Sequence, residues 1–317
     1  MDQPDRSEQT QMRYLATAEQ LQRRAAREMQ LPPGLLPSPI TLVHWLIQLR
    51  PTLRPASWRQ YRAATFALLD DMNSEEAGLA TLELLQADST PCLRRPAYPR
   101  TSGQKMRRLP QVELDKLLTH LATHPSRWSA GLALWLQAGR LTGLRPCEWP
   151  SAQLLYKDDE PVLKARNAKH SNGRSHGEFR HLRLGLLDAD ALQVVVDMLA
   201  WVQQIQTQHH WEAVTGGCRD TLTRVTRQLW PRRKRFPTLY SARHQFAADA
   251  KKSGMPPVEL AALMGHAVSD TVVEHYGRRT HGQSGFSVQA DPDDVARVID
   301  RPVTWDEKHR FLVRVRA

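Results

Sequence analysis

The sequence predicts a mainly α-helical chain with one small antiparallel β-sheet, organised as two domains joined by a basic linker. Three observations lead there. Apolar residues recur at helical spacing, punctuated by capping residues, through residues 1–90 and again from residue 111. One block, residues 153–186, "QLLYKDDEPVLKARNAKHSNGRSHGEFRHLRLGL", replaces that period with short apolar runs separated by the turn-rich "DDEP" and "SNGRSHG". Between the helical regions, "DSTPCLRRPAYPRTSGQKMRRLP" has no periodicity, and its prolines and basic residues mark a linker that runs along something acidic.

The first domain, residues 1–90, reads as a bundle of four short helices. "QTQMRYLATAEQLQRRAAREMQL" is amphipathic and stops at "PPG". "SPITLVHWLIQLRP" opens with a cap, Ser38, followed by a first-turn proline. "RPASWRQYRAATFALLDDM" follows, with Ser57 read as its cap, and "SEEAGLATLELLQA" opens at Ser74 with acidic residues suited to a helix N-terminus. Trp45 and Trp58 are expected in its core. After the linker, residues 91–110, the second domain is expected over 111–280. Its helices are "QVELDKLLTHLATH", "RWSAGLALWLQAGRLTG", which ends at Gly143, "DADALQVVVDMLAWVQQIQTQ", "RDTLTRVTRQLW", "SARHQFAADAKKSG" and "PPVELAALMGH". "WEAVTGGC" reads as a loop, and block 153–186 as two or three antiparallel strands. Residues 281–317 read as a tail with a short helix, "PDDVARVID", and a terminal strand, "HRFLVRVRA".

Charge narrows the partner. Lys and Arg number 44 against 33 acidic residues, a net charge of +11 that points to a polyanion. Three separated cysteines, Cys92, Cys147 and Cys218, form neither a disulfide framework nor a metal motif, which suits a reducing compartment. The polar N-terminus argues against a signal peptide. The most apolar run, "LQVVVDMLAWV", is too short to span a bilayer, so no membrane role is expected. The expected location is the bacterial cytoplasm, with the nucleoid.

Breaking a phosphodiester without a metal asks for permanently charged planar donors around the phosphate, a nucleophile, and a proton donor for the leaving oxygen. The second domain offers these residue types at constrained places. Arg145 follows a helix end, with Glu148 three residues on; Arg243 lies near the start of a helix; His266 follows "LMG"; and Tyr276 comes ten residues later. Each alone has a plain structural explanation: a surface ion pair, a helix C-cap, a packed ring.

Together they resemble the tyrosine recombinase (phage integrase) family, whose catalytic architecture is shared with type IB topoisomerases. "TGLRPCEW" matches the family's first box with Arg145 and Glu148, and "YSARHQF" the second with Arg243. "LMGHAVSDTVVEHY" matches the third with His266 and Tyr276. Lys169 in "NAKHSNGR" falls where the family places a hairpin lysine. The resemblance covers residues 111–280; the N-terminal helices match the family's core-binding domain only in class. One departure stands out: Tyr240 occupies the position of the second-box histidine. Tyrosine donates one hydrogen bond but is a poor base near neutrality, so it either binds phosphate in the histidine's place or leaves proton removal to another group.

The resemblance implies site-specific strand exchange through a 3′-phosphotyrosine. Arg145, Arg243 and His266 would hold the phosphate, Tyr276 attack, Lys169 act as acid and Glu148 support. It implies no cofactor and no metal. The partners would be double-stranded DNA carrying paired sites and a homo-tetramer on that DNA, monomeric or weakly associated when free. It leaves room for an accessory DNA-binding protein, and for the tail to dock on a neighbouring subunit. The biological setting would be a mobile element, through integration and excision or cointegrate resolution. Two rivals remain open: a type IB-like topoisomerase, separated by sequence independence, and a non-catalytic DNA-binding derivative. Backbone phosphates are expected against Arg94, Arg95, Arg107, Arg108, Arg174, Arg232, Arg233 and Lys234. His170, His176 and His181 flank the hairpin without metal-ligand spacing.

Overall fold

The computed structural model describes residues 8–87, 105–170, 173–301, 303–306 and 311–314. Two compact units emerge, Met1–Arg100 and Thr101–Ala317.

The first unit consists of α1 (Glu8–Glu28), α2 (Pro39–Leu49), α3 (Pro55–Met72) and α4 (Glu75–Gln86). Ser38 and Ser74 cap α2 and α4, accepting from the amides of Thr41 and Ala77. Ser57 does not cap α3. That helix starts earlier, with Arg54 as N-cap and Pro55 in its first turn, because proline's fixed φ and missing N–H suit the first helical position. Helix α1 packs on α3 and α2 on α4, burying Leu21, Leu42, Leu46, Trp58 and Leu84. Trp45 is buried as well, and its indole donates to Glu28 at 2.8 Å. The Arg50 guanidinium lies 4.7 Å from the Trp58 ring.

The second unit is helical around a small sheet. Its helices are α5 (Gln111–Thr123), α6 (Ser129–Thr142), α7 (Ala189–Gln206), α8 (Trp211–Leu229), α9 (Leu239–Lys252), α10 (Pro257–Leu263), α11 (Asp270–His275) and α12 (Pro292–Ala296). Its strands are β1 (Gln153–Lys157), β2 (Glu160–Arg166), β3 (Phe179–Arg183) and β4 (Gln289–Ala290), antiparallel in the order β1-β2-β3-β4, with a separate hairpin of β5 (Val303–Asp306) and β6 (Phe311–Arg314). The β1–β2 turn uses Asp158 and Asp159, both left-handed at φ +52 and +61. Such a pair of positive φ values matches the twist of a two-residue hairpin, and aspartate tolerates them. Helix α6 is the hub, packed against α5, α7 and α9, with Leu132, Trp135 and Leu136 fully buried.

Four expectations need correction. "WEAVTGGC" is not a loop but the first turns of α8, with Val214 and Cys218 buried. Gly216 and Gly217 weaken the helical signal locally, yet a side chain at Gly217 would strike the Trp128 indole at 2.2 Å, so packing selects what propensity disfavours. The linker ends sooner than residue 110. Met106 accepts from the Ser241 hydroxyl at 2.6 Å, and the Leu109 amide donates to Gln245 at 2.9 Å. Nor does the second unit end at residue 280. Val288 and Val298 are buried in its core, Phe286 meets Phe246 with ring centroids 5.0 Å apart, and β4 adds a fourth strand to the sheet. The tail as a whole is therefore not a free docking arm. Among the described residues no helix is long and apolar enough to cross a membrane.

Candidate active site

The end of α6 sets the first arginine. Gly143 takes φ +64 to stop the helix, and a Cβ there would lie 2.5 Å from the Phe246 ring. Two residues on, Arg145 N-caps a short 3-10 turn, Pro146–Ser151, whose third residue is Glu148. The Glu148 carboxylate accepts from the Arg145 backbone amide at 2.7 Å and from its guanidinium at 2.5 Å. Both residues are buried, so this is not a surface ion pair. Glu148 also accepts from Arg180 Nη2 at 2.6 Å and from the Ala168 amide at 3.2 Å. Burial would raise its carboxyl pKa, but Arg180 and Arg145 outweigh burial and hold it far below the carboxylate range. One buried anion thus ties three segments together: Arg145 after α6, Arg180 on β3, and the backbone preceding Lys169.

Thr238 caps α9, and the helix carries Tyr240 and Arg243 inward. Arg243 is fully buried. Its Nη1 donates to the Gly143 carbonyl at 2.5 Å and its Nη2 to the Met264 carbonyl at 2.6 Å, fixing the guanidinium from behind. His266 follows the turn after α10, where Gly265 sits at φ +64 and a Cβ would fall 2.0 Å from Asn167 Oδ1. The imidazole Nε2 lies 3.2 Å from Arg243 Nη2 and 3.4 Å from Arg145 Nη2. Arginine can only donate, so Nε2 accepts here and the proton belongs on Nδ1. Desolvation, then Arg243 and Arg145, hold this histidine neutral far below its usual range.

Tyr276 closes the group. Its hydroxyl is 3.4 Å from Arg243 Nε and 3.3 Å from the Tyr240 hydroxyl, and its ring stands edge-on to His266 with centroids 5.3 Å apart. Burial pushes the phenol up, but Arg243 and Arg145 outweigh it and bring it down to about 8. Tyr240 moves the other way, raised chiefly by desolvation. It therefore remains a neutral phenol able to donate to the Tyr276 oxygen. Lys169 is exposed on the β2–β3 loop, its ammonium destabilised by desolvation and then by Arg145. His244, next to Arg243, is pushed down to about 4 by desolvation and then Arg107, and its ring centroid is 5.2 Å from that of Tyr276.

The basic residues expected on phosphates divide. Arg107, Arg108, Arg174, Arg232 and Lys234 are exposed. Arg233 is instead engaged internally, forming a two-point ion pair with Glu113 at 2.8 and 3.1 Å above the Trp230 ring. Arg94 and Arg95 lie outside the described residues. His170 contacts Arg166, while His176 and His181 turn to Asp294 at 3.9 and 3.2 Å.

Sequence reasoning missed Arg180 and Asn167. Arg180 is wholly buried and donates to both Glu148 and Asn167, the latter at 2.6 Å. Its only trace in the sequence is its place two residues before Leu182, on the same strand face, in a strand where Arg183 reads as equally basic.

No family model matches the chain, and no curated protein matches it. Among solved structures, the chain is similar to the XerH site-specific recombinase bound to palindromic difH substrate in a post-cleavage complex. The identity is 15%, with 84% of this chain and 72% of that one covered, at a TM-score of 0.44. It is also similar to the Tn1549 transposon integrase in complex with a circular intermediate DNA, at 14% identity, 81% and 88% coverage and a TM-score of 0.41.

Proposed function

We propose that the chain is a DNA strand transferase of the tyrosine recombinase type, working through a covalent 3′-phosphotyrosine. The observation that carries this reading is the convergence of Arg145, Arg243 and His266, from three separate segments, around a tyrosine hydroxyl whose pKa is brought down to about 8. Buried structural tyrosines have no need of two guanidiniums.

In this reading the non-bridging oxygens of the scissile phosphate take the outward donors of Arg145 and Arg243. Each guanidinium keeps its internal partners, Glu148 for Arg145 and the Gly143 and Met264 carbonyls for Arg243, so neither reorganises as charge develops. A phosphate that takes those donors frees His266 Nε2 from its acceptor role. Tyr276 Oη attacks phosphorus, the P–O5′ bond breaks, and Lys169 supplies the proton to the departing 5′ oxygen; desolvation and Arg145 lower its pKa, which makes it a readier donor than a free lysine. Ionisation of Tyr276 needs no strong base, since a phenol near 8 is about one-tenth ionised at pH 7. In this reading Tyr240 serves as a hydrogen-bond donor to the phenolate, a role its raised pKa supports. Rejoining reverses the step with a 5′-hydroxyl of a partner strand. Strand exchange of this kind requires paired sites and a tetramer, and a mobile element is the setting we favour.

The test is covalent capture. Purified protein is incubated with sheared host DNA and denatured with detergent, and the attached fragments are sequenced beside a Tyr276→Phe control. A narrow set of sequences, absent with Tyr276→Phe, is expected. Adducts spread over all sequences would replace the proposal with a topoisomerase, and gel shifts without adducts with a non-catalytic binder. The adduct rate should rise about tenfold per unit as pH climbs towards about 8 and then level off, because only the phenolate attacks. Binding should weaken steeply with salt; a change of less than about threefold in affinity between roughly 50 and 200 mM would contradict a phosphate clamp.

A further inference from the structure

Helix α11 ends abruptly. It is six residues long, and Tyr276 at its C-terminus turns extended, at φ −109 and ψ 173. So short a helix leaves its carbonyls without intrahelical donors. Lys251, near the end of α9, serves one of them and the chain beyond: its ammonium donates to the Val272 carbonyl at 2.6 Å and, past the helix end, to the Gly277 carbonyl at 2.9 Å. These two acceptors lie on either side of Tyr276 in the chain. A cation is also the charge that a helix C-terminus favours.

The rest of this segment is laced to the same helix. A Cβ at Gly277 would come within 2.4 Å of the His244 carbonyl, and one at Gly282 within 2.1 Å of the Ala248 carbonyl. Gln245 donates to the His281 carbonyl at 2.9 Å, and Asp249 accepts from the Gln283 amide at 2.7 Å. Helix α9 therefore carries Tyr240 and Arg243 on the side of the phenol and, through Lys251, grips the backbone that presents the phenol. Lys251 is half-buried beside Met255, Leu260, Val272 and Val273, with Arg278 and Arg279 lining the same cavity and His244 on its own helix. Desolvation brings its ammonium down to about 8. A half-buried lysine whose ammonium meets two backbone carbonyls is placed for what it holds.

We infer that Lys251 is a positioning residue for the nucleophile, tying the backbone on both sides of Tyr276 to the helix that bears Arg243. It thereby sets the hydrogen-bond distances from the phenol to Arg243 and Tyr240. The kinetic part of this inference rests on the strand-transfer reading; the structural part does not.

The experiment has two arms, each run on the full chain with Lys251→Met, Lys251→Gln and Lys251→Arg. In the first, without DNA, the Tyr276 phenol is titrated by the ultraviolet difference between each protein and its Tyr276→Phe counterpart. A midpoint near 8 is expected in the parent and in Lys251→Arg. In Lys251→Met it should rise by about one unit or more as the phenol leaves Arg243, with Lys251→Gln between them. An unchanged midpoint in both neutral variants overturns the inference, and Lys251→Gln decides it should Lys251→Met not fold. In the second, single-turnover adduct formation is measured at saturating DNA. Loss of about tenfold to 10²-fold in Lys251→Met is expected, with DNA affinity unchanged and most of the rate restored in Lys251→Arg. An equal loss in affinity and rate would mean a merely structural role. If the parent forms no adduct on any DNA, the strand-transfer reading fails while the phenol titration still decides the role of Lys251.

Discussion

In Arg243→Lys, adduct formation at saturating DNA is expected to fall about 10²–10³-fold, the scale of removing one preorganised donor from a developing oxyanion. The physical reason goes beyond the lost contact. The guanidinium is fully buried and uses three nitrogens in three directions: the Gly143 carbonyl, the Met264 carbonyl and the Tyr276 hydroxyl. A lysine ammonium is a point charge that cannot span those acceptors. At a fully buried position it also tends to shed its proton, removing the charge that lowers the Tyr276 phenol. Rate and phenol titration should therefore move together. A rate within about threefold of the parent would remove Arg243 from the proposed site.

The second large effect is on stability. Glu148→Leu leaves Arg180 buried without its carboxylate, and breaking one side of a buried ion pair costs about 3–5 kcal/mol. For a unit of this size that corresponds to roughly 10 °C in melting temperature. The double variant Glu148→Leu/Arg180→Met removes the Arg180 charge along with the carboxylate and should recover part of the loss, the remainder being Arg145, which still lacks its carboxylate. Thermal unfolding of the parent, the two single variants and the double variant measures this coupling. Strict additivity would show that Arg180 and Glu148 are not the pair described. Glu148→Leu should also slow adduct formation, since the same carboxylate orients Arg145 and holds the Ala168 amide beside Lys169.

The candidate site was legible in the sequence to an unusual degree, because its members sit at punctuated places. Gly143 ends α6 just before Arg145, and Gly265 precedes His266; both glycines have positive φ, which makes the neighbouring residues stand out. What remained hidden was the supporting layer. Arg180 and Lys251 read as ordinary basic residues in a strongly basic chain, and nothing local separates a cation committed to internal partners from a solvated one. Arg233 shows the reverse case, a basic residue in "RRKRF" that is committed to Glu113 rather than to the surface.

Local sequence thus determined the helices with strong periodicity and serine caps, the turn at Asp158–Asp159, and the order of the reactive residues along the chain. These depend on contacts between residues a few positions apart, which the sequence displays directly. Tertiary structure alone decided that "WEAVTGGC" is helical under Trp128, that residues 286–298 pack into the second unit, and that the Tyr240 and Tyr276 hydroxyls meet. It also decided that one glutamate anchors arginines from two distant segments. Those outcomes are set by burial and by partners 32 to 121 residues away in sequence, where desolvation and shape outweigh local propensity.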